Sequence, residues 1–205
     1  MTDFDNKINT IKTWLGTGSI NLFGRPFAGK DTQTARLSRY LEAPVIGGGD
    51  ILRAGNASTR VLKIIGKGEL APSDDYIKSI EPYFRRNELQ GKPLLLSSVG
   101  RMSGEEPAII NATNKTGHPI KSVIYIDVSE DEVMNRRKSS PDRYREDDEE
   151  KNIPTRLQWF NKYTLPVLET YEQMGILTKI DGMLSEDKVF EDIVDRLYNL
   201  ALQYS

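Results

Sequence analysis

The run Gly24-Arg25-Pro26-Phe27-Ala28-Gly29-Lys30 constrains this chain more than any other stretch, because it fits G-x-x-x-x-G-K between an apolar segment and a helical one. Residues 19–23 are short, mostly apolar and bounded by glycines, which predicts a strand; residues 32–41 are rich in helix formers. A helix starting there presents unpaired N–H groups and the positive end of its dipole. The glycines let the backbone approach phosphate oxygens, and Lys30 can reach the outer phosphates of a nucleoside triphosphate. The plain alternative, a glycine turn carrying a surface lysine, is disfavoured by the flanking strand and helix.

Further apolar runs bounded by turn residues, at 44–46, 93–96, 122–128 and 176–180, predict four more strands. Helix-length patterns lie between them at 74–89, 130–138, 154–174 and 186–203. Phe4, Ile8, Ile11 and Leu15 share the face of an opening helix. Strands alternating with helices require crossover connections. The expected class is therefore α/β, a five-stranded parallel sheet covered on both faces, with ligands at the carboxyl ends of the strands.

Composition narrows the function classes. The 28 basic residues nearly cancel the 30 acidic ones, so no whole-chain field points to nucleic acid or an anionic membrane, and an anion site has to be built locally. No cysteine is present, which removes disulfides and thiolate chemistry and fits a cytoplasmic protein. A metal would be bound by oxygen. His118 is the only histidine, so neither a Ser-His-Asp triad nor a multi-histidine zinc site is expected. His118 reads as a loop residue, and Trp14, Trp159 and the tyrosines read as packing. The first residues, with Asp3, Asp5, Lys7 and Lys12, fit neither a signal peptide nor a membrane span.

Gly24 to Gln33 (GRPFAGKDTQ) resembles the phosphate loop of adenylate kinases and related nucleoside monophosphate kinases. The resemblance extends over about residues 18–200. Ile46 to Arg53 (IGGGDILR) is similar to the family's second motif, and Gly66 to Asp74 (GKGELAPSD) to the stretch that follows it. Leu94 to Arg101 stands where the family has a strand ending in Asp-Gly-Phe-Pro-Arg. Arg145-Glu146-Asp147-Asp148 resembles the Arg-x-Asp-Asp of its short lids, and Arg156 to Gly175 its closing helix.

That resemblance implies a P-loop kinase of one domain, with an acceptor-binding segment at about 47–91 and a short lid at about 137–150. It implies phosphoryl transfer from ATP with Mg²⁺ to a nucleoside monophosphate, AMP being the first expectation and GMP, CMP or UMP the alternatives. Positioning and charge stabilisation would be the catalysis. Gly24, Phe27, Ala28, Gly29, Lys30, Asp31 and Thr32 would hold ATP, with Arg136 or Arg137 beside the donor nucleotide. Gly48, Asp50, Arg53, Leu70, Arg101 and Glu105 would hold the acceptor, and Arg145 and Arg156 the charge building on the transferred group. Arginine suits such places because its planar fork meets phosphate oxygens in pairs. A monomer is expected, with a dimer through the opening helix left open.

Departures from the family pattern in several motifs leave alternatives open. The family's Asp after the third strand is Ser97, its Gly is Ser98 and its Pro is Gly100, while Asp31 stands where phosphate loops usually place a magnesium-binding hydroxyl. Either Asp31 and Ser97 have exchanged roles around one hydrated Mg²⁺, or Asp31 repels the triphosphate and leaves a nucleotide-binding protein without catalysis. Phe27 replaces a glycine, so its φ has to suit a residue with a Cβ, and its ring is expected to pack on a neighbouring helix. Glu105 replaces Gln or Asn, and Gly48 a threonine. A carboxylate cannot donate to adenine N1, whereas it can accept two donors from guanine; alternatively Glu105 and Glu106 are simply an acidic helix start.

Overall fold

A computed structural model describes residues 2–54, 58–66, 69–139 and 152–204. Five strands form one parallel sheet: β1 (Ser19–Gly24), β2 (Val45–Gly47), β3 (Leu94–Ser97), β4 (Ile120–Asp127) and β5 (Leu177–Asp181), in the order β2-β3-β1-β4-β5. The first five residues of β1 are all buried, and Leu22 and Phe23 enter cores on opposite faces of the sheet. Burial on both sides is why β1 reads as an apolar run rather than an alternation.

Helix α1 (Asp3–Leu15) packs its buried Ile8, Ile11 and Leu15 in the core cluster that also holds residues of α2 (Lys30–Leu41) and α10 (Glu186–Gln203). Ile11 is fully buried, so Ile11→Val, which removes one methylene, is expected to lower unfolding free energy by about 1 kcal/mol. Thermal or denaturant unfolding checks this. No measurable loss would mean that α1 contributes little to the folded state.

Residues 48–89 contain α3 (Gly48–Ala54), α4 (Thr59–Gly66), α5 (Ser73–Phe84) and a 3₁₀ turn at Asn87–Leu89. The single helix expected over 74–89 ends early: Pro82 offers no N–H to its last turn, and Arg86 is already extended. Helix α6 (Glu106–Lys115) leads to β4, which begins two residues earlier than expected, and α7 (Glu130–Ser139) follows it. The helix expected over 154–174 is α8 (Ile153–Trp159) and α9 (Leu165–Gln173) joined by a π turn at Phe160–Thr164. No described helix is long and apolar enough to cross a membrane.

β1 is flanked by β3 and β4, so the chain leaves the sheet in opposite directions on either side of it. Open α/β sheets place their ligand crevice at such a switch point, beyond the carboxyl ends of these strands.

Candidate active site

The loop after β1 carries the first part of the site. Gly29 adopts φ 86°, which lets the chain turn directly into α2 and points the first free N–H groups of that helix outward. A Cβ on Gly24 would meet the Ala28 Cβ at 3.0 Å and the Ile126 carbonyl at 3.2 Å, so this tight turn needs glycine. Phe27 takes φ 61°, a left-handed conformation that suits a bulky residue poorly. The expectation of an ordinary φ fails here, because the turn geometry that a glycine would accept freely is retained. The expected packing of the ring does occur, on the cluster containing Val133 and Val189.

Lys30 begins α2, and its Nζ donates to Asp31 Oδ1 at 2.5 Å and to Ser97 Oγ at 2.6 Å; the hydroxyl lies 3.5 Å from the same carboxylate oxygen. One ammonium, one carboxylate and one hydroxyl thus meet where β1 and β3 end. The loop after β3 is held by Asn21 of β1, whose side chain donates to the Val99 carbonyl at 2.8 Å and accepts from the Val99 N–H at 3.2 Å. Ser98 and Gly100 both have positive φ, 53° and 75°. A proline could not adopt the latter, nor could it donate the Gly100 N–H bond that the Tyr76 hydroxyl accepts at 3.2 Å.

These loops wall a cleft of about 880 Å³. On its phosphate-loop side are Gly24, Phe27, Ala28, Gly29, Lys30 and Asp31. Facing them are Gly48, Asp50, Arg53 and Leu70 from the 47–91 segment, then Ser97, Arg101 and Glu105, and Arg156 from α8. Asp50 accepts from the Gly47 N–H at 2.9 Å and from Arg53 Nη2 at 2.7 Å. A Cβ on Gly48 would stand 2.8 Å from the Ser98 carbonyl, which explains why no threonine fits there. Arg145 lies outside the described residues, as does most of the stretch expected as a lid.

Glu105 is 3% exposed, accepting from the Ser73 hydroxyl at 2.8 Å and the Met102 N–H at 3.1 Å. Burial pushes its carboxyl above the ordinary value, outweighing these hydrogen bonds and the nearby Arg101 charge. The desolvated environment therefore favours the neutral acid.

A second hollow of about 500 Å³ lies across the loop, lined by Phe27, Gly29, Thr32, Arg136 and Gly182 among others. Arg136 donates to the Gly182 carbonyl at 2.7 Å and to Glu132 at 2.7 Å; Arg137 lines neither hollow. Any Cβ at Gly182 would meet Ile126 and Val128 methyls at 2.7 Å, so the close packing of this backbone against the β4 end needs glycine.

Tyr76, packed in the core as expected from the sequence, also lines the cleft, as does Trp159; sequence reasoning missed Arg25, whose inward turn no local pattern signals. Asn21 was legible only as a polar residue inside an apolar strand.

A parallel sheet whose glycine loop, helix start and lysine share one cleft with Arg53, Arg101 and Arg156 defines a P-loop phosphotransferase. The adenylate kinase family model matches residues 22–176. The chain is 32% identical over 178 residues to an adenylate kinase of Xanthomonas oryzae pv. oryzae (strain MAFF 311018), covering 84% of this chain and 95% of that one. It is 30% identical over 179 residues to an adenylate kinase of Xylella fastidiosa (strain 9a5c), with the same coverage. The chain belongs to the adenylate kinase family and is a nucleoside monophosphate kinase.

Proposed function

We propose that the chain moves the γ-phosphoryl group of ATP to AMP, with the acceptor held by the 47–91 segment and a short lid at about 137–150 closing over both nucleotides. The observation that carries this reading is that one cleft has Lys30 on one wall and Arg53, Arg101 and Glu105 on the other. Lys30 holds the outer donor phosphates, with the backbone of Gly24 to Gly29 and the start of α2 around them. Arg53 and Arg101 hold the acceptor phosphate. Arg156, with Arg145 from the lid, balances the charge on the transferred group, and Arg136 lies beside the donor nucleoside. The oxygen donors Asp31 and Ser97, 3.5 Å apart, suit a hydrated Mg²⁺, which when bound neutralises phosphate charge. Exclusion of water by closure limits ATP hydrolysis.

The buried setting of Glu105, which raises its pKa, supports AMP as the acceptor. As a neutral acid it donates to adenine N1 and accepts from the N6 amino group; ionised, it accepts from guanine instead. Burial raises its pKa, so the neutral form persists above the ordinary carboxylate range of about 4.5 and is lost as pH rises through the raised value. ADP formation should therefore be measured with ATP, Mg²⁺ and each of AMP, GMP, CMP, UMP and dTMP, against a no-acceptor control. AMP is expected to be preferred, with a KM that rises with pH, and Glu105→Gln is expected to keep AMP activity while losing that pH dependence. Preference for GMP would refute the assignment of AMP. ATP binding without transfer to any acceptor would leave a nucleotide-binding module.

A further inference from the structure

Arg25 follows the first glycine of the phosphate loop, yet its side chain turns inward and is only 14% exposed. Its Nη1 donates to the Tyr125 hydroxyl at 2.7 Å, Asp127 Oδ1 at 2.9 Å and the Val128 carbonyl at 3.0 Å. Its Nη2 reaches Asn161 Oδ1 at 3.4 Å, and the guanidinium lies 5.3 Å from the centre of the Phe160 ring. That ring stacks in turn on Tyr125, and Asn161 donates to Glu130 at 2.6 Å. Asp127 is also paired with Lys179 at 2.8 Å, so the Arg25 charge is matched within the protein. Arg25 lines the cleft, but its two terminal nitrogens are engaged by β4, the Val128 carbonyl and the π turn, and its Nε is buried without a partner. It is poorly placed to be a phosphate ligand.

Phe160 and Asn161 open the π turn, and Thr164, which closes it, donates its hydroxyl to the Arg101 carbonyl at 3.0 Å. The turn is therefore pinned at one end to the phosphate loop and at the other to the segment carrying Arg101. A π turn holds an extra residue and rotates the helix before it relative to the helix after it. Arg156 stands four residues before Phe160, on the same helix face, and lines the cleft. We infer that Arg25 is a positioning residue for phosphoryl transfer: it clamps the π turn against the phosphate loop and so sets where Arg156 stands over the cleft. This rests on the role given to Arg156 above.

The test is the kcat and KM of Arg25→Met, Arg156→Met and the double variant with Mg-ATP and the preferred acceptor, with thermal unfolding as a check on folding. Misplacing a catalytic group by about 1 Å can cost about 10²-fold. Arg25→Met is accordingly expected to lower kcat by about 10- to 100-fold, with both KM values within about threefold, and to add nothing in the Arg156→Met background. Arg25→Lys, which keeps the pair with Asp127 but lacks the second arm to Asn161, is expected to fall between and serves if the Met variant does not fold. Multiplying losses in the double variant, or an unchanged kcat in Arg25→Met or Arg25→Lys, would overturn the inference alone. A wild type that phosphorylates no acceptor, or an Arg156→Met protein with full kcat, would overturn the reading beneath it as well.

Discussion

Lys30→Ala is expected to lower kcat/KM for transfer by about 10³-fold or more, on the order of 4 kcal/mol of transition-state stabilisation. Two effects combine. The variant loses the ammonium proposed to meet the donor phosphates, and it removes the cation 2.5 Å from the Asp31 carboxylate. The Lys30 side chain is only 16% exposed, so solvent screens this exchange weakly. With that cation removed, the Asp31 carboxylate beside a triphosphate adds repulsion to the lost attraction. Steady-state kinetics should show a fall in kcat, and calorimetry a weaker affinity for ATP. A loss of less than about tenfold would mean that Lys30 is a structural partner of Asp31 and Ser97 and that other donors meet the phosphates.

The second large effect concerns Asp31 and Ser97. If they have exchanged the carboxylate and hydroxyl around one cation position, Asp31→Ser is expected to lower kcat/KM by about 10²-fold, because the charge facing the cation is gone. The same variant should need more Mg²⁺ for half-maximal rate. The double variant Asp31→Ser/Ser97→Asp moves the carboxylate across a gap of 3.5 Å and is expected to recover most of the loss. A gain of activity in Asp31→Ser would refute the exchange and assign the carboxylate a purely repulsive role. Failure of the double variant to recover would mean that the two positions are not equivalent around the cation.

Much of the site was legible because its chemistry is local. The strand, glycine loop and helix around Lys30 occupy consecutive residues, and a helix start suited to anions follows from their order alone. Phe27 shows the limit of this. Its identity argued for an ordinary φ, but the turn holds it at 61°, since the chain must enter α2 at that point whatever side chain is present. The long helix was read in the right place but without its π turn. An extra residue in one turn leaves the apolar spacing nearly unchanged, and it is favoured here by contacts from Arg25 and Arg101, more than 60 residues away in sequence.

The state of Glu105 was likewise beyond the sequence. A carboxylate written beside a second one reads as an acidic helix start, and only its burial in the folded chain raises its pKa, against the opposing hydrogen bonds from Ser73 and the Met102 backbone. The sequence by itself determined the α/β alternation, the phosphate loop and the set of cations available for transfer, since each depends on residue type and spacing along one segment. The tertiary structure decided which of those cations face one another, which arginine turns inward to Asp127 and the π turn, and which acid is desolvated and has its pKa raised. Those properties depend on desolvation and on distances between segments remote in the chain, which periodicity and propensity do not encode.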